Sequence, residues 1–273
     1  MQEETLSRGR GSNSVGTRTH PMLETRNLTI RFGGHVAVDG VSCAFAPGTL
    51  TAIVGPNGAG KTTWFNLISG QLRASAGSVW LDGVDITREG APQRTHRGIG
   101  RAFQLTQLFP NLTVVENVRL AVQSRRREGL DLWSIWSDRR NTLERAHALV
   151  ERVRLGDRAE ARAASLPHGD QRKLEVAMLM ALEPSVYMFD EPTAGMSVDD
   201  VPVILDLIRD LKQQRDKIIL LVEHKMDVVR ELADRIVVLH NGRLVADGDP
   251  ASVIASPVVQ QAYLGMAPVE EAA

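Results

Sequence analysis

Cysteine and long apolar runs are scarce in this sequence of 273 residues. Cys43 is its only cysteine, so a disulfide within the chain is excluded and a reducing, cytosolic compartment is favoured. No apolar run approaches the roughly 20 residues that a membrane-spanning helix needs. The N-terminus lacks the continuous apolar stretch of a secretory signal. We therefore expect a protein without a transmembrane segment or a signal peptide.

An excess of one charge is also lacking. Lys and Arg number 32 against 33 for Asp and Glu, which gives a formal net charge of −1. That balance gives the whole molecule no attraction to polyanions, and we expect no nucleic-acid partner. Hydrophobic residues make up 43% of the chain, enough for a large core that needs no disulfide or metal ion. The length fits one large domain or one domain with an inserted lobe.

The pattern along the chain separates tails, strands and a helical segment. Residues 1–21 are rich in Ser, Gly, Thr and Arg without periodicity, which predicts a disordered tail before a domain over 22–265 and a short tail over 266–273. Apolar periodicity predicts strands over Asn27–Phe32 and Leu50–Val54. From about 93 to 182 the sequence is charged and has a helical period. Its clearest helix, Thr142–Val153, places Leu143 on an apolar stripe.

Strands return in the last third of the sequence. Three apolar runs predict buried strands: Val186–Phe189, Ile218–Val222 and Ile236–Leu239. A predicted helix over Val201–Gln213 lies between the first two, and this interleaving is typical of parallel strands joined by crossover helices. Asn241-Gly242 predicts a type I′ hairpin turn, and Ser256-Pro257 predicts the start of a last helix. The fold class is therefore α/β, a nucleotide-binding core interrupted by a helical lobe.

A glycine-rich motif directly follows the predicted strand Leu50–Val54. It matches the phosphate-binding pattern G-x-x-x-x-G-K-[ST] and consists of Gly55, Pro56, Asn57, Gly58, Ala59, Gly60, Lys61, Thr62 and Thr63. Its backbone N–H groups can surround a phosphate, and the next helix adds its positive N-terminal end. Lys61 can reach the β- and γ-phosphates of ATP, and Thr62 can bind Mg²⁺. The alternative, a plain glycine-rich turn, is disfavoured by the flanking strand and helix.

Two later strands end in polar residues that can complete this site. Val186–Phe189 runs into Asp190, a candidate ligand of Mg²⁺ directly or through water, and Glu191, a candidate general base. Ile218–Val222 runs into Glu223-His224, where His224 can hydrogen-bond the γ-phosphate and the attacking water. Without the phosphate-binding motif, these residues would be ordinary strand-end or surface polar groups.

Together these motifs resemble the ATP-binding subunits of ABC transporters, over residues 22–265. The resemblance implies a P-loop NTPase core with an antiparallel β subdomain and an inserted α-helical subdomain. It implies that Gln104 contacts Mg²⁺ and the γ-phosphate and links the core to the helical subdomain. It also implies that Phe32 stacks on adenine, although Phe32 could otherwise be a core residue of its strand. Thr193–Met196 falls at the family's D-loop, and His224 at its switch histidine.

The family's signature motif, usually Leu-Ser-Gly-Gly-Gln, is altered here. Its place is taken by Leu166, Pro167, His168, Gly169 and Asp170. Pro167 replaces the serine whose hydroxyl touches the γ-phosphate of the opposing subunit, and His168 replaces a glycine. Gly169 keeps a backbone N–H that can approach phosphate. The resemblance implies that this segment contacts the ATP bound by a second subunit.

The variant signature is most similar to that of the larger ATPase of branched-chain amino acid importers. Arg31–Gly34, residues 222–229 and Ala262–Gly265 share this resemblance, and ATPases of urea and short-amide importers are similar too. An extra basic segment, Arg125–Arg140, contains Trp133 and Trp136. It could contact lipid headgroups or a permease loop, or it could bury its tryptophans locally in a solvated helical hairpin.

The resemblance implies a peripheral protein on the cytoplasmic face of the inner membrane. Its expected partners are integral membrane permease subunits, a second ATPase subunit in a head-to-tail dimer and, indirectly, a substrate-binding protein. Glu191 and His224 would assist attack by water on ATP, and Gln104 would couple the site to the helical lobe. A lipopolysaccharide-type exporter ATPase would be expected to keep a more standard signature. A soluble ABC ATPase acting on ribosomes or DNA would usually carry two cassettes or a long coiled coil.

Overall fold

Two β-sheets and the helices around them make up the part of the chain that the computed structural model describes, residues 22–102, 108–126 and 135–264. The strands are β1 (Leu23–Phe32), β2 (His35–Phe45), β3 (Thr49–Val54), β4 (Ala76–Leu81), β5 (Val84–Asp85), β6 (Ile99–Ala102), β7 (Val186–Asp190), β8 (Ile218–Val222), β9 (Arg235–His240) and β10 (Arg243–Gly248). The helices are α1 (Lys61–Ser69), α2 (Ala91–His96), α3 (Val114–Arg126), α4 (Ile135–Arg152), α5 (His168–Leu182), α6 (Val201–Gln213), α7 (Met226–Leu232), α8 (Pro250–Ile254) and α9 (Pro257–Leu264).

The larger sheet has the strand order β10-β9-β3-β8-β7-β6. All its neighbouring strands are parallel except the hairpin pair β9 and β10. Helices cover a parallel sheet on both faces, which explains why every residue of Ile218–Val222 is both apolar and buried. Because β3, β7 and β8 run in one direction, the residues that follow Val54, Asp190 and Val222 lie at the same edge of the sheet. Ligands of such sheets bind at this edge.

The smaller sheet is antiparallel, with the order β2-β1-β4-β5. Its inner face alternates with an exposed one along β2, where Val41, Cys43 and Phe45 are buried and the residues between them are exposed. Phe45 packs on Trp64 of α1, with 5.8 Å between the ring centroids. The antiparallel β subdomain is thus present, and its core is continuous with the helix that follows the phosphate-binding motif.

The helical lobe consists of α3, α4 and α5, with α3 packed against both others. Thr113 and Glu116 form a capping box at the start of α3, since Glu116 Oε2 accepts from the Thr113 N–H and Thr113 Oγ1 accepts from the Glu116 N–H. The predicted apolar stripe of α4 is correct except at Leu143, which is 41% exposed. At 100° per residue the buried stripe, which includes Thr142, is centred near Val153, and Leu143 lies just outside its margin beside Val150.

Strand β6 is an element that the sequence pattern did not predict. It lies within the range 93–182 that we assigned to helices, yet it pairs in parallel with β7 in the larger sheet. Its four residues include Gly100 and Arg101, so neither an apolar run nor an alternation is visible. The helices of the lobe begin only at Val114.

Some of the remaining predictions are confirmed, and others concern residues that the structure does not describe. The hairpin at Asn241-Gly242 is confirmed, with φ of 48° and 76° at the two residues, and a helix does begin at Pro257. The two tails, Gln104 and Trp133 lie outside the described residues, and so does the side chain of Trp136. In the described part of the chain, no helix combines the length and apolarity needed to cross a bilayer.

Candidate nucleotide-binding site

The phosphate-binding motif forms the turn between β3 and α1. Gly60 precedes the helix with φ of 98°, and a Cβ at this position would lie 2.4 Å from the Ala37 carbonyl oxygen. Only glycine fits such a backbone at such a close approach. Lys61 is the first residue of α1, so the helix N-terminus and its unpaired N–H groups face the loop.

The Lys61 side chain is folded back over the loop. Its Nζ donates to the carbonyl oxygens of Gly55 at 2.7 Å and Pro56 at 3.0 Å, and the residue is only 6% exposed. Burial lowers the pKa of Lys61, and the charges of Glu191 and Asp190 oppose this shift. The two carboxylates predicted at the end of β7 are therefore within electrostatic range of the loop lysine. An anion entering the loop would meet an ammonium group that is already in place.

Asp190 is the last residue of β7 and is 7% exposed. Its Oδ2 accepts a hydrogen bond of 2.7 Å from Arg101 Nη2, within a buried ion pair. Burial raises the pKa of the Asp190 carboxyl, while the hydrogen bond and charge of Arg101 counteract the rise. The pairing thus favours a charged carboxylate beside the phosphate-binding loop.

Glu191 follows in a left-handed conformation, with φ of 52°, which is uncommon for a residue other than glycine. Its N–H donates to the Val222 carbonyl oxygen at 2.9 Å and so anchors the turn to β8. Its Oε1 lies 2.7 Å from Nε2 of His224, the two side chains being 39% and 38% exposed. The structure therefore brings Glu191 and His224 into direct contact on a surface that solvent and ligand can reach.

Phe32 ends β1 and is 50% exposed. The alternative that it is a core residue of its strand is therefore wrong. An exposed aromatic ring offers a face on which a nucleobase can stack, and stacking on adenine stays a prediction.

Two charged residues beside the site were not assigned a role from the sequence. One is Arg101, the partner of Asp190. The other is Glu223, 3% exposed, whose Oε1 accepts from Thr193 Oγ1 at 2.8 Å and whose Oε2 accepts from the His224 N–H at 3.0 Å. Glu223 thereby links Thr193, in the turn after Asp190, to the backbone of His224. For Glu223 the available signal was a charge directly after the apolar strand Ile218–Val222, whereas the sequence around Arg101 offered no such signal.

The altered signature segment lies at the N-terminus of α5, in the helical lobe. Pro167 precedes the helix, His168 starts it, and both are exposed, whereas Leu166 is buried. Asp170 accepts from Arg158 Nη1 at 2.5 Å and from Lys173 Nζ at 3.0 Å. These bonds hold Asp170 within its own lobe. Contact between this segment and the ATP of another subunit stays a prediction.

The site also has a donor set suited to Mg²⁺. Thr62 supplies a hydroxyl at the start of α1 and Asp190 a buried carboxylate, both oxygen donors of the kind that Mg²⁺ prefers. Among the described residues, no group of three or more His, Cys, Asp or Glu side chains could hold a metal ion. A magnesium ion here would therefore depend on phosphate oxygens as well, which is usual for nucleotide-bound Mg²⁺.

Comparison with known proteins agrees with this geometry. A family model described as ABC transporter matches residues 38–194. LivG of Escherichia coli strain K12, a high-affinity branched-chain amino acid transport ATP-binding protein, is 38% identical over 256 residues, which are 91% of this chain and 100% of LivG. BraF of Pseudomonas aeruginosa, with the same description, is 36% identical over 255 residues and also covered completely. The crystal structure of the ADP conformation of MJ1267, an ATP-binding cassette of an ABC transporter, has a TM-score of 0.75 and 30% identity, covering 91% of this chain and 100% of that one.

Proposed function

This chain belongs to the ABC transporter family as an ATPase subunit, and from that premise we propose that it energises an importer of branched-chain or other amino acids. The observation that carries the cargo class is the similarity to LivG, which extends over the whole length of that relative. BraF supports the same class. Cargo is recognised by other chains of such a machine, so the proposal concerns the machine to which this ATPase belongs.

The site residues suggest how the chain hydrolyses ATP. Lys61 and the loop N–H groups bind the phosphates, and Phe32 supports the base. Thr62, Asp190 and Gln104 are the proposed ligands of Mg²⁺, which when bound neutralises charge on the phosphates. Glu191 accepts a proton from the attacking water as the water oxygen bonds to the γ-phosphorus, the bond from the γ-phosphorus to the bridging oxygen breaks, and ADP and phosphate leave. His224 contacts the Glu191 carboxylate through Nε2, and its proposed role is to hydrogen-bond the γ-phosphate and the attacking water.

The exposed signature segment supports a site shared between two subunits. At the start of α5, Pro167 and His168 are exposed and Gly169 is half-buried. We propose a head-to-tail dimer in which this segment contacts the ATP bound by the partner's loop. Closure and opening of that dimer would pass through the helical lobe to permease subunits. The ATPase subunit would then act at the cytoplasmic face of the inner membrane. A substrate-binding protein would be its indirect partner.

The test is to purify the tagged chain from membranes of its source cells and identify the proteins that accompany it. We expect two permease subunits and an ATPase partner. ATPase activity of the reconstituted complex should then rise with a binding protein loaded with leucine, with the Glu191→Gln complex as the inactive control. Stimulation by urea or a short amide instead would overturn the amino-acid assignment. Absence of any membrane protein from the purified complex would argue against a transport role.

A further inference from the structure

Arg101 is a buried cation with partners on two elements of the site. Its side chain is 6% exposed. Nη2 donates to Asp190 Oδ2 at 2.7 Å, while Nη1 donates to Asn66 Oδ1 at 2.6 Å and Ser69 Oγ at 3.0 Å. One guanidinium group therefore joins the carboxylate at the end of β7 to the helix that starts at Lys61.

We propose that Arg101 is a positioning residue for the magnesium site, a role that rests on the function proposed above. Thr62 and Asp190 are the proposed protein ligands at the core of that site, and they lie on different elements. Asn66 and Ser69 belong to α1, as Thr62 does. By bonding to both, Arg101 sets the distance and orientation of the Asp190 carboxylate relative to the Thr62 hydroxyl.

The chemistry of the side chain fits this role. Arginine has a planar group with donors in fixed directions, so it can bond to a carboxylate on one side and to a helix on the other. The ammonium of lysine has no such fixed fork. Arg101 engages Oδ2 of Asp190, and Oδ1 is the oxygen left for the metal ion or for a water bound to it. Fixing one carboxylate oxygen thus orients the other.

Arg101 provides the hydrogen bond that holds the buried Asp190 carboxylate. A carboxylate released by Arg101 would lose the orientation that presents its other oxygen to the metal ion. Loss of Arg101 should therefore reduce the part of ATP affinity that depends on Mg²⁺.

A purely structural ion pair would behave differently. Removing it would lower the stability of the fold and weaken ATP binding to a similar degree with and without Mg²⁺. Arg94 provides a matched control, because it is also buried, at 2% exposure, and also bonds to α1, through the carbonyl oxygens of Leu67 and Ile68. The other donors of Arg94 bond to the carbonyl oxygens of Glu89 and Thr87, and Arg94 takes no part in the proposed site.

The experiment measures equilibrium binding of ATP to the full chain on ice, with excess Mg²⁺ and with EDTA, alongside the melting temperature. The variants are Arg101→Met, Arg101→Lys, Arg94→Met and Asp190→Asn. In Arg101→Met we expect the gain in affinity on adding Mg²⁺ to fall by about tenfold or more, as is typical when an outer partner of a metal ligand is removed. Binding in EDTA should change little. Arg101→Lys should recover part of the gain, and Arg94→Met should keep all of it while melting lower.

The outcomes separate the two proposals. If Asp190→Asn leaves the gain from Mg²⁺ unchanged, the proposed metal role of Asp190 is wrong. If Asp190→Asn abolishes the gain while Arg101→Met and Arg101→Lys keep it, the positioning role of Arg101 is overturned and the metal site stands. Equal losses with Mg²⁺ and EDTA in Arg101→Met would also overturn it. If Arg101→Met fails to fold, Arg101→Lys provides the test. A gain in ATP affinity on adding Mg²⁺ equal to that of the wild type in Arg101→Lys would contradict a need for the planar guanidinium group.

Discussion

Glu191 is held at both its backbone and its side chain. Its N–H donates to the Val222 carbonyl oxygen, and its Oε1 lies 2.7 Å from His224 Nε2. Glu191→Gln keeps an oxygen that can accept from His224, so the local shape should survive. The amide cannot take up a proton from water, and we expect hydrolysis to fall by about 10²-fold or more. ATPase assays, with ATP affinity measured in parallel, check this result.

The contrasting variant is Lys61→Ala. Lys61 donates to carbonyl oxygens of the phosphate-binding loop and is a buried cation of the proposed phosphate site. Its loss should weaken ATP binding itself, whereas Glu191→Gln should leave binding intact. Turnover close to that of the wild type in Glu191→Gln, or unchanged ATP affinity in Lys61→Ala, would contradict these roles.

At this scale, local motifs predicted part of the site and long-range pairs were missed. Lys61, Asp190 and Glu191 belong to short patterns that can be read from neighbouring residues. The role of Arg101 depends on partners 35 and 89 positions away, and that of Glu223 on Thr193, 30 positions away. No local pattern specifies these contacts, because they exist only after parallel strands have been placed side by side.

Among the elements, the β9–β10 hairpin has a second role that its sequence does not reveal. Asn241-Gly242 predicts the turn, but not what the turn touches. The Gly242 N–H donates to the Ala59 carbonyl oxygen at 3.0 Å, and the Gly242 carbonyl oxygen accepts from the Asp39 N–H at 2.8 Å. The hairpin thus supports the phosphate-binding loop through Ala59 and joins it to β2 through Asp39.

Strand β6, by contrast, was not predicted from the sequence. Its four residues include Gly100 and Arg101, so they show no hydrophobic periodicity.

A pair of glycine variants tests this support. Gly242 and Gly83 have the same φ of 76°, but a Cβ at Gly242 would lie 2.8 Å from the Ala37 carbonyl oxygen, whereas a Cβ at Gly83 meets no heavy atom within 4 Å among the described residues. Gly83→Ala should cost only the left-handed strain, about 1 kcal/mol. Gly242→Ala should cost more, about 2–3 kcal/mol in the free energy of unfolding, because a clash is added.

Binding of ATP distinguishes the two variants further. Gly242→Ala displaces the turn that bonds to Ala59, so it should also weaken ATP binding under conditions in which the protein stays folded. Gly83→Ala lies on the antiparallel sheet at the β4–β5 turn and should bind ATP as the wild type does. Equal ATP affinities in both variants would show that the hairpin does not support the loop.

For the whole molecule, the question is whether one chain holds a complete site. The described residues bring together Lys61, Asp190, Glu191 and His224, while Asp170, next to Gly169, bonds to Arg158 and Lys173. A Cβ at Gly169 would meet Asp200 Oδ2 at 3.4 Å and no other heavy atom within 4 Å in the part of the chain described. The chain itself can therefore accept a Cβ at Gly169. If Gly169→Val keeps the wild-type melting temperature, a strong effect on hydrolysis would point to a contact made in a second subunit.

Mixing two inactive variants tests this arrangement directly. Lys61→Ala lacks a working loop but keeps its signature segment, and Gly169→Val has the opposite defect. In a head-to-tail dimer, the loop of the second variant faces the signature segment of the first, so each mixed dimer has one intact site. At equal concentrations the mixture should reach about a quarter of the wild-type ATPase rate, since half of the dimers are mixed and each holds one intact site of two. Because both defects would persist in any site made within one chain, a mixture as inactive as its components would show that two copies of this chain do not share their sites.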